Sequence, residues 1–356
     1  MSNLVQRFKY PGDQAIVNKL ANHIETSNES ELFHIDVYSL ANQWNVSKKD
    51  LLELFIRGLH EGIFRMEWEY HCPRCGGIAN ETLFIHEAKS INCCDICKIE
   101  FSNKLDVNIE VFFSIHPEVR NISLEFKDNY LKSNKDNITA TKMIRWKNPF
   151  SIYGVDIIQN PVFRELMEGE VLAPDQSLEL MKCTLLFTDI KGSTQMYNDL
   201  GDSRAFQLVR EHFRIIFEVI KRSNGIPVKT IGDAVMGAFS NKTEGLKAAL
   251  EAQKSLIEFY RSKPENEKIE VKIGLNSGTT IIVTLNGKLD YFGSTVNMAA
   301  RIQSIANPNE IVLPMNIFED EECNEIISSY AKTITKSKTT FKGLNGEYNV
   351  YHIVLN

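Results

Sequence analysis

Leu185-Leu186-Phe187-Thr188-Asp189-Ile190-Lys191-Gly192-Ser193-Thr194 joins an apolar run to an aspartate and then to a Gly-Ser-Thr turn. An amphipathic pattern begins after the turn. This order predicts a buried strand, a carboxylate at its end and a tight loop that opens toward a helix. Carboxylates are oxygen ligands for Mg²⁺, and the backbone N–H groups at a helix N-terminus bind phosphate. The segment therefore predicts a place where a metal-bound phosphate can bind.

A second aspartate, Asp233, lies in Thr230-Ile231-Gly232-Asp233-Ala234-Val235-Met236. Apolar patterns at Ile226–Thr230 and Ala234–Phe239 predict a hairpin around it. If the strand ends lie side by side, Asp189 and Asp233 come together. Turn capping is the better explanation for either aspartate alone, but the pair in these two contexts favours a shared metal site.

The rest of the C-terminal half alternates helices with hairpins. Apolar residues spaced by three and four predict a helix at Ser203–Arg222, and its predicted buried face consists of Phe206, Val209, Phe213, Ile216, Phe217 and Ile220. Other helices are predicted at Thr243–Tyr260 and Thr295–Ile305. Strands are predicted at Lys268–Asn276, Ile281–Leu285, Leu289–Phe292, Glu310–Leu313 and Tyr348–Val354. Asn286-Gly287 signals a two-residue hairpin turn. The pattern predicts an α+β fold, ferredoxin-like, with an antiparallel-rich sheet and packed helices.

Five of the seven cysteines lie between Cys72 and Cys97. Cys72-Pro73-Arg74-Cys75 and Cys94-Asp95-Ile96-Cys97 are C-x-x-C knuckles, each of which places two thiolates on one side of a tight turn. Two facing knuckles complete a tetrahedral site for structural Zn²⁺. Cys93 is the alternative to Cys94, with a poorer spacing to Cys97, and a redox switch is a less favoured alternative to a metal. His71 and His86 are assigned no ligand role.

The knuckles belong to a predicted zinc ribbon, with a strand at Thr82-Leu83-Phe84-Ile85 between them. Ahead of it, helical patterns and a strand at Ile63–Tyr70 resemble a winged helix-turn-helix. Residues 1–66 carry seven Lys/Arg and eight Asp/Glu, a net charge of −1. A DNA reader normally shows a basic stripe, so a structural or dimerising module is favoured over DNA binding.

Bulk composition places the chain among ordinary globular proteins. Its 356 residues suffice for two or three domains, and 43% hydrophobic content is typical of them. The net charge of −6 does not favour nonspecific attraction to nucleic acid. No signal peptide and no apolar run of roughly 20 residues is visible, so we expect no membrane span and a cytoplasmic location. Residues 128–137 are predicted to be a polar loop, and Val162–Met167 a short helix.

Three C-terminal segments resemble the signature segments of class III nucleotide cyclase domains. They are Phe187-Thr188-Asp189-Ile190, Lys229-Thr230-Ile231-Gly232-Asp233 and Asp290-Tyr291-Phe292-Gly293-Ser294-Thr295-Val296-Asn297-Met298-Ala299-Ala300-Arg301. The N-terminal half resembles the winged-helix and zinc-ribbon region that precedes the cyclase domain in some bacterial members. The resemblance implies four segments: a winged-helix-like module (1–70), a zinc ribbon (71–105), a β-containing segment and linker (106–180) and a cyclase domain (181–356).

The resemblance also implies an activity and a set of site residues. A cyclase makes the ribose 3′-hydroxyl attack the α-phosphate and expels pyrophosphate. Two Mg²⁺ or Mn²⁺ ions per site would be held by Asp189, Ile190 and Asp233. Asn297 and Arg301 lie four residues apart on one helix face; in the family they orient the ribose and neutralise charge at the α-phosphate. Lys342 resembles the lysine that meets the terminal phosphates.

The purine is read, in this family, by the residues that match Lys229 and Asp290. Lysine donates to adenine N1 and aspartate accepts from the N6 amine. Guanine reverses this pattern, and guanylate cyclases usually carry an acidic residue at the first position and a small or sulfur-bearing one at the second. The pair therefore implies an adenylate cyclase acting on ATP. An edge-strand lysine is the ordinary alternative for Lys229.

The family shares its site across a dimer interface, with the metal-binding aspartates from one subunit and the other residues from its partner. Since this chain carries both sets, the resemblance implies a homodimer with two equivalent sites. A guanylate cyclase of the same fold is the nearest alternative. A nucleotide-sensing or DNA-binding regulator without catalysis and a zinc-dependent scaffold are the alternatives of other classes.

Overall fold

The structure is a computed structural model that describes residues 7–8, 10–136, 150–341 and 346–355. The chain divides into two compact units. The first consists of residues 1–180 and the short segment Ile282–Asp290, and the second consists of Met181–Ile281 and Tyr291–Asn356. The boundaries of the four predicted segments stay predictions. No helix in the described parts of the chain has both the length and the apolar character needed to cross a bilayer.

The first unit packs helices against a four-stranded sheet. Its helices are α1 (Gln14–Thr26), α2 (Glu29–Leu32), α3 (Val37–Trp44), α4 (Lys48–His60), α5 (Leu124–Asp136), α6 (Gly154–Ile158) and α7 (Pro161–Leu166). The strands of the sheet are β1 (Phe64–His71), β2 (Ile78–Thr82), β5 (Ile109–Ile115) and β6 (Ile152–Tyr153), in the order β2-β1-β5-β6. Separately, β3 (Ile91–Cys93) pairs with β4 (Glu100–Ser102). The rings of Phe55 and Phe64 stack at 4.4 Å in its core.

Two sequence predictions in this unit were wrong. The strand expected at Thr82–Ile85 ends at Thr82, because the Glu87 carboxylate accepts hydrogen bonds from the backbone N–H groups of Leu83 and Phe84 and closes a 3₁₀ turn. The loop expected at 128–137 is largely helix α5. Ser123 accepts a hydrogen bond from the backbone N–H of Phe126 at its start, and the rings of Phe126 and Tyr130 pack edge-on against Phe33.

The second unit contains most of an eight-stranded sheet. The strands are β7 (Leu178–Ile190), β8 (Ile226–Ile231), β9 (Ala234–Phe239), β10 (Val271–Leu285), β11 (Lys288–Phe292), β12 (Glu310–Pro314), β13 (Ala331–Thr339) and β14 (Tyr348–Leu355). Their order in the sheet is β13-β14-β12-β10-β7-β9-β8, with β11 paired to β10. The helices are α8 (Ser193–Leu200), α9 (Asp202–Arg222), α10 (Lys242–Arg261), α11 (Ser294–Ser304), α12 (Met315–Phe318) and α13 (Glu321–Tyr330).

Antiparallel pairing dominates this sheet. The pairs β7–β9, β8–β9, β12–β14 and β13–β14 are antiparallel, whereas β10 and β12 run parallel. Helices α9 and α10 bury apolar residues in one core with these strands. The predicted α+β class with an antiparallel-rich sheet is therefore confirmed, as are both hairpins. The strands expected at Lys268–Asn276 and Ile281–Leu285 are one continuous strand, β10.

The buried face of α9 differs from the predicted one. Phe206 is 55% exposed, and the face that meets the core is formed by Ala205, Leu208, Val209, His212, Ile215, Ile216, Val219 and Ile220. Phe213 and Phe217 flank this face and are only partly buried. The sequence pattern placed the large aromatic residues at the centre of the stripe, but the centre needs the smaller branched residues because α9 lies close to α10 and the sheet.

Candidate active site

Two neighbouring strand ends hold the predicted metal-binding aspartates. In the antiparallel pair of β7 and β9, Thr188 lies opposite Val235. Asp189 follows Thr188, and Asp233 precedes the start of β9. The Thr188 hydroxyl accepts a hydrogen bond from the backbone N–H of Val235 at 3.3 Å. Gly232 adopts a φ of +63° in the hairpin turn, a conformation that favours glycine. The strand register therefore brings the two carboxyl groups to the same end of the sheet.

The Asp189 carboxyl group is partly buried and lies next to Asp233. Burial raises the pKa of Asp189, the neighbouring Asp233 carboxylate raises it further, and Lys272 opposes the increase. The Asp233 Oδ2 atom is buried and accepts no hydrogen bond from the described residues. Buried carboxylate oxygens need a partner. Hard divalent cations take oxygen ligands, so these carboxylates fit Mg²⁺ or Mn²⁺. The hydrocarbon side chain of Ile190 is buried and has no ligand atom, so this residue could bind a cation only through its backbone carbonyl.

The loop after Asp189 leads directly into α8. The backbone N–H of Lys191 donates to the carbonyl of Glu270 at 2.9 Å, and the Lys191 ammonium lies 3.0 Å from the Glu270 carboxylate. Gly192 adopts a φ of +65° and occupies the N-cap position of α8, which has no side-chain cap. Backbone N–H groups in this position point out of the helix and can bind an anion. The loop therefore pairs a carboxylate site with a potential phosphate site.

Helix α11 presents Asn297 and Arg301 from the same face. Asn297 is exposed, whereas Arg301 is half-buried, and its buried Nη1 atom finds no hydrogen-bond partner within the described chain. Thr295 fixes the start of α11, because its hydroxyl donates to the carbonyl of Thr279 and its own carbonyl accepts from Asn276. A side chain at Gly274 would meet the α11 backbone at Gln303, so only glycine allows this close packing of helix and strand.

The two predicted purine-reading residues lie on different strands. Lys229 is half-buried on β8 opposite Met236. Asp290 is buried on β11, with 7% of its surface exposed. Lys342 lies outside the described residues.

Arg164 on α7 holds the strand that carries Asp290, and the sequence prediction did not include it. Its Nη1 atom donates to the carbonyl of Leu289 at 2.8 Å, and its Nε atom donates to the carbonyl of Ile158. The Thr284 hydroxyl on β10 likewise donates to the carbonyl of Leu172. The β10–β11 hairpin is therefore anchored by residues far upstream in the chain. No local signal in the sequence identifies these contacts.

The four predicted cysteine ligands form one cluster. The sulfur atoms of Cys72, Cys75, Cys94 and Cys97 all lie within 4.8 Å of one another. The two knuckles have the same backbone pattern: Gly76 N–H donates to Cys72 O, and Lys98 N–H donates to Cys94 O, with φ positive at both donors. Cys93 is exposed on β3 and outside the cluster.

The sulfur geometry of this cluster fits a metal. Cys75 Sγ and Cys94 Sγ are 3.6 Å apart, close to the roughly 3.8 Å edge of a tetrahedron with 2.3 Å zinc–sulfur bonds. A disulfide requires about 2.05 Å. Backbone N–H groups of Arg74 and Cys97 also donate to the sulfurs of Cys72 and Cys94. Burial opposes the thiolate of Cys94, but the Cys97 N–H and the neighbouring thiols lower the pKa of Cys94 to about 7.

Two different protein families match the two halves of the chain. The sequence model of the adenylate and guanylate cyclase catalytic domain matches residues 176–353. A family of unknown function (DUF5939) matches residues 1–169. The chain is 27% identical over 241 residues to an adenylate cyclase of Lachancea kluyveri, and this match covers 60% of this chain and 13% of that protein. It is 23% identical over 261 residues to a receptor-type guanylate cyclase of Caenorhabditis elegans, covering 69% of this chain and 24% of that protein.

Among solved structures, the chain is similar to an adenylate/guanylate cyclase/hydrolase from Silicibacter pomeroyi. The TM-score is 0.43 and the identity is 23%, over 51% of this chain and 100% of that chain. The chain spans only a small part of the two curated relatives named above.

Proposed function

Because the chain belongs to the adenylate and guanylate cyclase catalytic domain family, we propose that it is an adenylate cyclase, which converts ATP to 3′,5′-cyclic AMP and pyrophosphate. The observation that carries this proposal is the pair Asp189 and Asp233, whose carboxyl groups share one end of the sheet. The Asp233 Oδ2 atom is buried without a hydrogen-bond partner among the described residues. Such a pair is suited to bind divalent cations and is costly without them.

Each residue has a role in the proposed reaction. The ribose 3′-oxygen attacks the α-phosphorus and its hydroxyl proton passes to solvent water. The bond from the α-phosphorus to the bridging oxygen breaks, so that pyrophosphate leaves. Two Mg²⁺ or Mn²⁺ ions, held by Asp189, Asp233 and the Ile190 carbonyl, would favour the alkoxide and neutralise the triphosphate. Arg301 would neutralise charge on the α-phosphate, Asn297 would orient the ribose, and Lys342 would bind the terminal phosphates.

The purine would be read by Lys229 and Asp290. A protonated lysine donates to adenine N1, and a carboxylate accepts from the N6 amine. Guanine offers an acceptor at O6 and a donor at N1, so both contacts would be mismatched. Because the chain carries both the metal-binding and the purine-reading residues, we also propose a homodimer with two equivalent shared sites.

The test of the activity is turnover of the full chain with ATP and, separately, GTP, in Mg²⁺ and in Mn²⁺. We expect cyclic AMP from the wild type and a loss of about a hundredfold or more in the Asp233→Ala variant. Cyclic GMP as the main product would reject the purine assignment but keep the site. Absence of any cyclic product from folded, dimeric protein under all four conditions would reject the proposed enzyme.

We propose a structural Zn²⁺ held by Cys72, Cys75, Cys94 and Cys97. The supporting observation is the single sulfur cluster, with its matched knuckles and its 3.6 Å sulfur–sulfur contact. Since such a site forms only on folding, the binding energy stabilises the fold. We expect the Cys94→Ser variant to lose one zinc equivalent per chain and to unfold at a lower temperature, with Cys93→Ser as the neutral control. Equal zinc content in both variants would contradict the ligand assignment.

A further inference from the structure

A row of carboxylates crosses the sheet of the first unit. On β1, Glu69 lies directly opposite Glu110 of β5 and, on its other side, opposite Glu81 of β2. Glu69 and Glu110 have only 6% and 16% of their side-chain surface exposed. Like charges directly opposite each other destabilise a sheet, and burial increases the cost. The opposed carboxylates therefore favour a positive charge between the strands.

His71 lies two residues beyond Glu69 on the same face of β1 and is placed as a metal ligand would be. Its Nδ1 atom lies 3.1 Å from the carbonyl of Gly76, and its Nε2 atom lies 3.4 Å from Glu69 Oε2 and 3.3 Å from Glu110 Oε2. Metal-bound histidines usually donate from the second ring nitrogen to a carbonyl or carboxylate. With Nδ1 donating to Gly76, the Nε2 atom is directed at the two carboxylates.

The distances among these atoms match a tetrahedral ion. Bonds of about 2.1 Å from zinc to nitrogen or oxygen place the ligand atoms roughly 3.4 Å apart. A direct charge-assisted hydrogen bond is shorter, about 2.7–2.9 Å. The same face provides an internal comparison, because His34 Nε2 contacts Glu67 Oε2 at 2.9 Å. The His34 contact therefore has the length of an ordinary hydrogen bond to a carboxylate, whereas His71 makes two longer contacts of nearly equal length with Glu69 and Glu110.

The contacts of Glu69 with the neighbouring histidines are also long. Its carboxylate lies 3.4 Å from His71 Nε2 and 3.7 Å from His34 Nδ1. A carboxylate that is more than nine-tenths buried normally accepts several hydrogen bonds or binds a metal. Glu67 on the same strand does so, since Ser114, Arg65 and His34 all contact it.

We propose that Glu69, His71 and Glu110 form a second metal site, separate from the cysteine cluster, which binds a divalent transition-metal ion of the Zn²⁺ class. Two carboxylates neutralise the charge of such an ion, and the imidazole favours a transition metal over Mg²⁺ or Ca²⁺. The ion would tie β1 to β5 next to the first cysteine knuckle, because His71 immediately precedes Cys72. The site would thus brace the sheet against the cysteine cluster.

A proton on His71 is the competing occupant of this gap. Burial lowers the pKa of His71, but the Glu110 and Glu69 carboxylates outweigh burial and raise it to about 10. The two explanations predict different zinc contents for the folded protein. If a metal ion occupies the gap, neutralising Glu69 lowers the zinc content measured by elemental analysis. If a proton occupies it, the zinc content does not change.

The test is the zinc content of the full chain after equilibration with buffered Zn²⁺ and gel filtration, compared with Glu69→Gln and Glu67→Gln. Both substitutions remove one charge from the same face of β1, but only Glu69 is a proposed ligand. We expect Glu69→Gln to bind one equivalent fewer than the wild type and Glu67→Gln to bind the same amount. Because the result is a difference, it does not depend on the occupancy of the cysteine cluster.

A second measurement tests whether Glu69→Gln still folds around the cysteine cluster. Titration with Co²⁺ should give cobalt–thiolate absorption of equal intensity in the wild type and Glu69→Gln, with one additional equivalent bound only by the wild type. Equal metal content in the wild type and Glu69→Gln would overturn the proposal. Loss of an equivalent from Glu67→Gln as well would overturn the assignment of the ligands.

Discussion

An equimolar mixture of Asp233→Ala and Arg301→Ala chains is expected to recover about a quarter of the wild-type turnover. Random pairing makes half of the dimers mixed, and each mixed dimer keeps one of its two sites intact. Each variant alone is expected to lose about a hundredfold or more. Asp233 would supply a metal ligand from one subunit, and Arg301 would neutralise the α-phosphate from its partner. The measurement is cyclic AMP formation after the two chains have been mixed under conditions that allow exchange of subunits.

A mixture of Asp189→Ala and Asp233→Ala chains is the matched control. Both residues would come from the same half of the shared site, so every site in a mixed dimer lacks one metal ligand. We expect no recovery from this mixture. Recovery in the control, or a lack of recovery with Asp233→Ala and Arg301→Ala despite proven exchange, would contradict a site shared between subunits.

The position of the two aspartates could be predicted because it depends on local rules. The apolar run before Asp189 predicts a buried strand, and the hairpin around Gly232 fixes the strand that follows Asp233. Once these two strands pair, the register places both carboxyl groups at one end of the sheet. The cysteine cluster was predictable for the same reason, since the C-x-x-C spacing dictates the turn that presents each pair of sulfurs.

Features that depend on packing between distant segments were not predictable. The apolar residues of α9 cover more than one face of the helix, so the sequence alone did not show that Phe206 would lie outside. The polar helix α5 is held by contacts of its rings with Phe33. Arg164 binds the Leu289 carbonyl across 125 positions of the chain. Such contacts are specified by tertiary packing, which overrides local propensity.

The carboxylate row of the first unit is an intermediate case. Alternation along β1 shows that Glu67, Glu69 and His71 share a face, as the sequence pattern indicates. The pattern does not show that Glu110 lies opposite Glu69 or that this face is buried. His71 therefore has no role that the sequence pattern could indicate, and only the register of the strands gives it two carboxylate neighbours.

The double variant Lys229→Glu, Asp290→Cys is expected to change the ratio of kcat/KM for ATP over GTP by about a hundredfold or more in favour of GTP. A glutamate at 229 can accept from guanine N1–H, while the loss of the Asp290 carboxylate removes the repulsion against guanine O6. Each mismatched hydrogen bond to a buried polar group costs about 1–3 kcal/mol, so two reversed contacts account for the change. Each single variant should leave one contact wrong for either purine, so it should lower the activity with ATP and give a ratio between those of the wild type and the double variant.

Lys332→Glu is the matched control for charge, because Lys332 is an exposed strand lysine of the same sheet. This variant should leave the ratio of kcat/KM for ATP over GTP unchanged. Asp290 is 7% exposed, and Arg164 holds the strand that carries it. Replacing Asp290 by cysteine therefore changes a buried position. Thermal unfolding of the double variant shows whether the protein remains folded. A residue that reads the base must change the ratio of the activities with ATP and GTP when it is replaced. If the double variant is folded but loses both activities by the same factor, Lys229 and Asp290 do not select the purine.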